Sequence, residues 1–194
     1  MKTKMSSNYF FVGIDYSLAG PAVTVIVDNK PTHYYLTDKK KFVGPIKESL
    51  IGTAYPEYHS ENERYHALSN WVLDIISATS LKSGLLPIVY IEGYSFGSTG
   101  ASLAQIHENA GILKYRLFQQ SISFVNVPPT TVKKSFCGKG NGTKTEMCEH
   151  FIKTTGVKLH EEFGSKNVDS KPAQDIVDSY AIALYAKSNH TAGR

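Results

Sequence analysis

Two apolar runs in this chain each deliver a single carboxylate at their end, and this pattern constrains the fold more than any other feature. The first run, FFVGID, ends at Asp15, and the second, PIVYIEG, carries Glu92. Short runs rich in Val, Ile and Phe are typical of strands in the middle of a sheet, so each acid is predicted to emerge at a sheet edge. Asp also starts turns, so a strand-end acid alone has a simple structural explanation.

A helical pattern near the C-terminus carries two more acids, Asp175 and Asp178. Residues three apart on a helix have Cβ atoms roughly 5 to 6 Å from each other, so both acids can reach one metal centre. Taken alone, the pattern predicts an amphipathic helix with a solvated acidic side. Four carboxylates at the ends of separate core elements, however, have one strong chemical use, which is to hold divalent metal ions. The apolar stripe of the helix comprises Ile176, Val177, Tyr180, Ala181 and Leu184.

The remaining elements alternate in the manner of an α/β protein. A β-meander is predicted first, followed by an amphipathic helix, and a strand, a helix and a strand then form a parallel crossover. The segment 38–60 has two prolines and no clear periodicity, so it is predicted as a long loop, either functional or partly mobile. The predicted strands are 9–15, 22–28, 32–37, 87–93 and 121–127, and the predicted helices are 61–80, one from 102, 131–136, one from 143, and 175–186.

Length and composition indicate an ordinary globular protein. The 194 residues suit one domain, 1–194, with a core over about 9–187. A hydrophobic fraction of 41% and a charged fraction of 20% exclude disorder, and no apolar run is long enough to span a bilayer. Cys137 and Cys148 are too few for a disulfide framework, and no secretory signal is evident, so a reducing, cytoplasmic location is predicted.

The positive charge is concentrated in one segment, Thr131 to Lys158. Two acids there, Glu146 and Glu149, leave a net charge of +4 in 28 residues, equal to that of the whole chain. Such a run is either a solvated face or a surface that binds phosphates, and composition does not choose between them. A Walker A loop is disfavoured, because Thr143 occupies the position of its second glycine and the segment follows a helix. The lysines are Lys133, Lys134, Lys139, Lys144, Lys153 and Lys158.

In combination, these motifs resemble the RuvC-type Holliday junction resolvases of the RNase H-like superfamily, in their bacterial and phage forms. The GID at Gly13–Asp15, the IE at Ile91–Glu92 and the D-x-x-D-x-x-A-I-A from Asp175 to Ala183 stand in the family's order. The segment VPPTTVKKSFCGKGNGTKTEM is similar to the family's V-K…G-x-G…K-S/T segment and places Lys133 and Lys144 on its two lysine positions. The resemblance covers most of the chain, from residue 9 to 187.

The resemblance implies both a fold and an activity. The fold is α/β and RNase H-like, with a mixed five-stranded sheet, three antiparallel strands followed by two parallel ones, and helices on both faces. The activity is metal-dependent hydrolysis of phosphodiesters at four-way DNA junctions, as in DNA recombination and repair, by a homodimer with paired sites. Two Mg²⁺ ions, which Mn²⁺ can replace, would be bound by Asp15, Glu92, Asp175 and Asp178, and Lys144 would neutralise charge on the scissile phosphate.

The chain also departs from the family. The segments 38–60 and 156–171 are longer than in the common bacterial form. Ser95 falls at the position of the family's stacking aromatic residue, and it is flanked by Tyr94 and Phe96. The predicted DNA-binding residues are these two aromatics together with Lys133, Lys134, Lys139 and Lys144.

Other functions remain open at this stage. The same superfamily includes nucleases that act on flaps, replication forks or RNA–DNA hybrids. A DNA-junction-binding module without catalysis is a second alternative, although an unused cluster of four acids would only cost folding energy. An actin-like ATPase also begins with a GID strand, but it needs further glycine-rich loops and a longer chain.

Overall fold

The computed structural model describes residues 8–93 and 102–192, over which the chain forms one seven-stranded mixed sheet with helices on both faces. The strands are β1 (Tyr9–Asp15), β2 (Ala22–Val27), β3 (Lys30–Thr37), β4 (Gly44–Lys47), β5 (Leu50–Ala54), β6 (Leu86–Glu92) and β7 (Phe124–Val127). The helices are α1 (Glu61–Ser83), α2 (Ser102–Gln119), α3 (Pro129–Cys137), α4 (Lys144–Thr155), α5 (Leu159–Glu162) and α6 (Ala173–Ala192), with a 3₁₀ turn at Lys40–Phe42.

The sheet contains the predicted arrangement and extends it at one edge. The strand order is β4-β5-β3-β2-β1-β6-β7. β1, β2 and β3 pair antiparallel, and β6 and β7 continue in parallel from β1. The predicted α/β class, with three antiparallel and two parallel strands, is therefore confirmed, whereas the predicted number of five strands is too low by the two strands β4 and β5.

Both additional strands come from the segment 38–60, whose prediction as a loop is wrong in its middle part. β5 pairs in parallel with β3, and β4 pairs antiparallel with β5 through an irregular register. Pro45 and Gly52, residues that are rare inside strands, conceal the pattern in the sequence. Gly52 is required there because a Cβ atom would overlap the carbonyl oxygen of Phe42.

A turn shorter than predicted connects β2 to β3. The two strands pair as far as Val27 and Lys30, so the connection consists of two residues, Asp28 and Asn29. Both have positive φ angles, 48° and 67°, as the favoured two-residue hairpin turns require. Asn and Asp tolerate this conformation better than other residues with side chains.

β1 separates two hydrophobic cores because its side chains alternate between the two faces of the sheet. Phe10, Val12 and Ile14 point towards the core that α1 and α2 cover. Phe11 instead packs against Ala183 of α6, on the opposite face. By the same alternation, Gly13 and Asp15 lie on the α6 face.

The segment 156–171 covers the additional strands. Phe163, which follows α5, makes edge-to-face ring contacts with Tyr35 and Phe42, both with centroids 5.2 Å apart. Lys47 of β4 forms an ion pair with Glu162 of α5. The segments 38–60 and 156–171 therefore pack against each other.

No helix in the part of the chain that the structure describes is long and apolar enough to cross a membrane.

Candidate metal centre

The parallel pairing of β1 with β6 brings the first two predicted acids to the same edge of the sheet. Ile14 and Ile91 are paired in register, so Asp15 and Glu92 follow directly at the ends of adjacent strands. Asp15 is 8% exposed and lies on the α6 face. The carboxyl ends of parallel strands form the crevice in which α/β proteins bind ligands.

Gly13 allows α6 to approach β1 much more closely than any side chain would permit. A Cβ atom on Gly13 would overlap the carbonyl oxygen of Ser179 and the backbone nitrogen of Ala183, and it would lie 2.9 Å from Ala183 Cα. The obstructing atoms are backbone, which side-chain rearrangement cannot remove. This close packing brings the acids of α6 over the end of β1.

The acidic side of α6 is buried, so the prediction of a solvated acidic face is wrong. Asp175 is only 3% exposed, and Ser179 is fully buried. Ile182 on the same side is also fully buried, whereas Tyr180 and Leu184 of the predicted apolar stripe are half-buried. The reason is that α6 is covered by the sheet on one side and by α3 and α4 on the other, and a helix covered in this way is buried all round.

A chain of buried polar side chains fixes α6 to the sheet beneath the acids. The hydroxyl of Ser179 lies 2.7 Å from the hydroxyl of Thr24 on β2, which lies 2.9 Å from Nδ1 of His33 on β3. Burial lowers the pKa of His33 to about 4, so its imidazole is neutral near pH 7. This network restricts how α6 can slide or rotate relative to β1.

The four acids are close enough to raise each other's pKa values. Burial raises the pKa of Asp15 well above its usual range, and the charges of Glu92, Asp178 and Asp175 raise it further. The pKa of Glu92 rises to about 7 through burial and the charge of Asp178. Burial likewise raises the pKa of Asp175 to about 6, and it raises that of Asp178. Such a cluster of buried like charges is costly unless cations neutralise it.

Three lysines surround the acids and partly offset this repulsion. Lys133 lowers the pKa values of Glu92 and Asp178, and Lys144 lowers those of Asp175 and Asp178. Lys171 acts on Asp15, Asp175 and Asp178, and its Nζ lies 3.3 Å from Oδ1 of Asp175.

Sequence reasoning missed Lys171, although one signal was available. Lys171 precedes Asp175 by four residues, the spacing of an ion pair on a helix, but it stands before Pro172 and was counted with the preceding loop.

The donor set fits a divalent cation such as Mg²⁺. All four acids offer carboxylate oxygens, which Mg²⁺ prefers. Oδ2 of Asp175 is buried and accepts no hydrogen bond from any residue that the structure describes, so a metal ion could supply the partner that this anionic oxygen lacks among them. As the side chains stand, no group of three or more His, Cys, Asp or Glu residues within 8–93 and 102–192 is arranged to hold a metal ion. Binding therefore requires the carboxylates to turn towards a common point.

The other predicted DNA-binding lysines lie on the surface, in the α3–α4 region. Lys134 is exposed on α3, and Lys139 forms a 3.0 Å ion pair with Glu146. Thr143 and Glu146 stand at the sequence spacing that predicts a capping box, and this prediction is confirmed because they bond reciprocally at the start of α4. The adjacent Thr145 donates a hydrogen bond to Asp169, and the loop follows helix α3, which is not the context of a Walker A loop.

Tyr94 and Phe96, the two aromatic residues predicted to stack on DNA bases, lie outside the described residues.

The acid cluster predicts how the stability of the metal-free protein depends on pH. A carboxyl group whose pKa is raised on folding holds its proton longer in the folded state, so stability falls as the pH rises from the unfolded pKa through the folded one. For Glu92 this window extends from 4.5 to about 7. The lowered pKa of His33 has the opposite effect, between about 4 and 6.5. Between pH 6.5 and 8 the acids alone should determine the trend.

We therefore expect the melting temperature of the metal-free protein to fall from pH 6.5 to 8, and Glu92→Gln to remove most of that fall. Thermal melts in EDTA at several pH values measure both effects. Glu57→Gln, which changes an exposed acid outside the cluster, is the matched control and should keep the wild-type trend. A melting temperature that rises with pH in both wild type and Glu92→Gln would contradict the prediction.

The mixed α/β fold, with the strand order described above, is similar to that of solved structures of RuvC. The solved structure of Thermus thermophilus RuvC matches with a TM-score of 0.59 and 16% identity over 95% of this chain and 96% of that chain. The complex of T. thermophilus RuvC with a Holliday junction substrate matches with a TM-score of 0.60 and 15% identity, with the same coverage. The chain thus has the RuvC-type fold.

A third structure, the yeast mitochondrial Holliday junction resolvase Ydc2, matches with a TM-score of 0.52 and 12% identity over 96% of this chain and 83% of that one. No protein-family model matches the sequence, and no curated protein matches it significantly. The similarity is therefore one of fold, with little sequence identity.

Proposed function

We propose that this protein is a metal-dependent, structure-selective endonuclease that resolves four-way DNA junctions. The observation that carries the proposal is the convergence of four acids from β1, β6 and α6 at one sheet edge, with an unpartnered buried oxygen on Asp175. The likeness to structures of Holliday junction resolvases, one of them bound to a Holliday junction substrate, supports the choice of substrate.

In this proposal each charged side chain has a defined task. Asp15, Glu92, Asp175 and Asp178 would hold Mg²⁺ or Mn²⁺, which would supply activation of water and stabilisation of the leaving oxygen. Lys144 and Lys133, which interact electrostatically with the acids, orient the scissile phosphate and offset its charge. The buried Ser179–Thr24–His33 network holds α6 so that its acids stay directed at Asp15.

A homodimer is part of the proposal because a four-way junction has two strands to cut symmetrically. The outer side of α2 supports a subunit contact, since Tyr115 and Phe118 are 60% and 74% exposed there. Large exposed apolar side chains that lie on one helix face often mark interaction sites.

A cleavage assay on a set of DNA shapes tests the proposed function. The purified protein is incubated with labelled four-way, three-way and linear DNA, with and without Mg²⁺. We expect symmetric nicks in the four-way junction, and only when Mg²⁺ is present. Preferential cutting of flaps, forks or RNA–DNA hybrids would favour another RNase H-like nuclease, and junction binding without cutting would favour a catalytically silent module.

The basic segment yields a prediction that separates binding from catalysis. Lys134→Ala and Lys139→Ala should weaken binding to all DNA shapes and reduce the slope of log K against log salt by about 0.9 each, the value for one phosphate contact. Lys144→Ala should mainly slow cleavage, because the charge of Lys144 reaches Asp175 and Asp178. Binding titrations at several salt concentrations and single-turnover cleavage rates measure the two effects. Salt slopes equal to wild type for Lys134→Ala and Lys139→Ala would show that these side chains only solvate the surface.

The segment after Glu92 yields a prediction about recognition of the junction. Bases at the crossover are easily unstacked, and stacking on an aromatic ring contributes about 1 to 3 kcal/mol per base. We expect at least one of Tyr94→Ala and Phe96→Ala to lower junction cleavage by about tenfold or more, with an unchanged melting temperature. Fluorescence of 2-aminopurine at the crossover should rise when wild type binds, but not when that variant binds. If both variants cut normally, the stacking role is wrong, and recognition of the junction must come from the geometry of the dimer.

A further inference from the structure

A cavity of about 400 Å³ opens directly beside Asp175, and no residue of α3 or α4 is among the residues that line it. Its walls come from the loop after β1, the end of β3 and the residues that lead into α6. This volume lies near the lower end of the range found for pockets that bind small ligands. Its charged and aromatic lining comprises Asp38, Lys39, Tyr55, Arg64, Lys171 and Asp175.

Lys171 connects this cavity to the metal centre. Its Nζ lies 3.3 Å from Oδ1 of Asp175, yet the Lys171 side chain is 55% exposed while that of Asp175 is 5% exposed. An ammonium group has three N–H donors, so one can point to Asp175 while others point to an anion in the cavity. The charge of Lys171 also reaches Asp15 and Asp178, which places it at the edge of the acid cluster.

The opposite wall is rigid because Arg64 is fully engaged inside the protein. Its Nε donates to the hydroxyl of Tyr55 at 2.9 Å, and its Nη2 donates to the carbonyl oxygen of Leu18, also at 2.9 Å. Tyr55 itself donates to the same carbonyl oxygen. Arg64 therefore holds the loop after β1 in place, and its charge is offset by Glu61, whose Oε2 lies 3.4 Å from Nη1.

Gly20 allows that loop to lie directly against Asp175. A Cβ atom on Gly20 would be 2.9 Å from Oδ2 of Asp175 and 3.7 Å from Nζ of Lys171. The oxygen that it would approach is the same unpartnered Oδ2. The loop thus forms the floor shared by the cavity and the metal centre.

We propose that this cavity binds a second phosphodiester of the DNA strand, adjacent to the one that is cut, with Lys171 and Lys39 as its cationic ligands. Two acids, Asp38 and Asp175, face the cavity together with Lys39 and Lys171, and Arg64 is paired with Glu61. A metal ion at Asp175 would neutralise one of the acids and leave the cavity more positive. The strand would then run from the α3–α4 lysines over the acids to this cavity. This inference rests on the proposed function.

Binding of a four-way junction in EDTA, where no cutting occurs, tests the site. We expect Lys39→Gln and Lys171→Gln each to reduce the salt slope by about 0.9, so that the loss of affinity between 50 and 200 mM salt becomes about threefold smaller. Lys82→Gln is the matched control, since Lys82 is an exposed lysine in the last turn of α1 that lines a different cavity beside β2 and β3. Slopes for Lys39→Gln and Lys171→Gln equal to that of Lys82→Gln would overturn the proposal.

A second measurement locates the phosphate on the DNA. Junctions are made with a neutral methylphosphonate at each single position near the cut site. One position adjacent to the scissile phosphate should weaken wild-type binding and have no further effect on Lys171→Gln. If the methylphosphonate and Lys171→Gln weaken binding independently at every position, so that their effects on affinity multiply, then Lys171 does not contact a phosphate and the proposal is wrong.

The two experiments also separate this inference from the proposed function. If wild type cuts junctions but the salt slopes of Lys39→Gln and Lys171→Gln equal that of Lys82→Gln, the cavity proposal fails and the proposed function stands. If wild type neither binds nor cuts branched DNA, the proposed function fails, and the cavity proposal fails with it.

Discussion

Asp178→Asn is expected to abolish strand cleavage while junction binding stays the same or becomes tighter. The substitution keeps the size of the side chain and removes one anionic ligand, so the cluster loses metal affinity and repels DNA phosphates less. Mutation of a residue that hydrogen-bonds a metal ligand already lowers metal affinity or activity by about 10-fold to 100-fold. Loss of a ligand itself should therefore lower the cleavage rate by more than about 100-fold. Single-turnover cleavage and binding in EDTA measure the two quantities separately.

Asp15→Asn should give the same result, because Asp15 lies at the centre of the cluster and its pKa is affected by the other three acids. The control is Asp74→Asn, which makes the same chemical change at an exposed position on α1 and should leave cleavage unchanged. Wild-type cutting by either Asp15→Asn or Asp178→Asn would refute the assignment of these acids to a metal centre.

Gly13→Ala is expected to have the largest effect on the fold. The added methyl group would overlap the backbone of α6 at Ser179 and Ala183, so the helix would have to move away from β1. Overpacking of a core typically costs 1 to 3 kcal/mol, and because backbone atoms cannot rotate away we expect about 3 kcal/mol or more. For a chain of this length, that loss lowers the melting temperature by about 6 to 12 °C or more.

The matched control for this substitution is Gly111→Ala. Gly111 lies on the exposed side of α2, where a Cβ atom would meet nothing within 4 Å. Alanine there should stabilise the helix by about 0.5 to 1 kcal/mol, because glycine is a poor helix former. A Gly13→Ala protein with wild-type stability and wild-type cleavage would show that the close packing of α6 on β1 is dispensable.

The sequence is informative where local chemistry determines structure. The Val-, Ile- and Phe-rich runs correctly predict β1 and β6 because central parallel strands are buried on both faces. Thr143 and Glu146 correctly predict the start of α4 because a capping box satisfies backbone donors within one turn. The same runs correctly place Asp15 and Glu92 at the ends of their strands.

Sequence reasoning fails where the environment depends on distant parts of the chain. The burial of Asp175 arises because α6 is covered from both sides, which periodicity along one helix cannot reveal. β4 and β5 were missed because these short strands with proline and glycine are stabilised by pairing of β5 with β3, by pairing of β4 with β5 and by packing, all of which are tertiary effects. Lys171 was missed because its importance comes from its position in space beside Asp175.

The packing of α5 against β4 and β5 makes the two long segments mutually dependent. Phe163 buries its ring against Tyr35 and Phe42, so removing the segment 156–171 would expose the aromatic side chains that cover β3 and β5. Removing 38–60 would conversely take away Phe42, one of the two ring partners of Phe163, and Leu50 of the same cluster. A shortened protein should therefore lack both segments together.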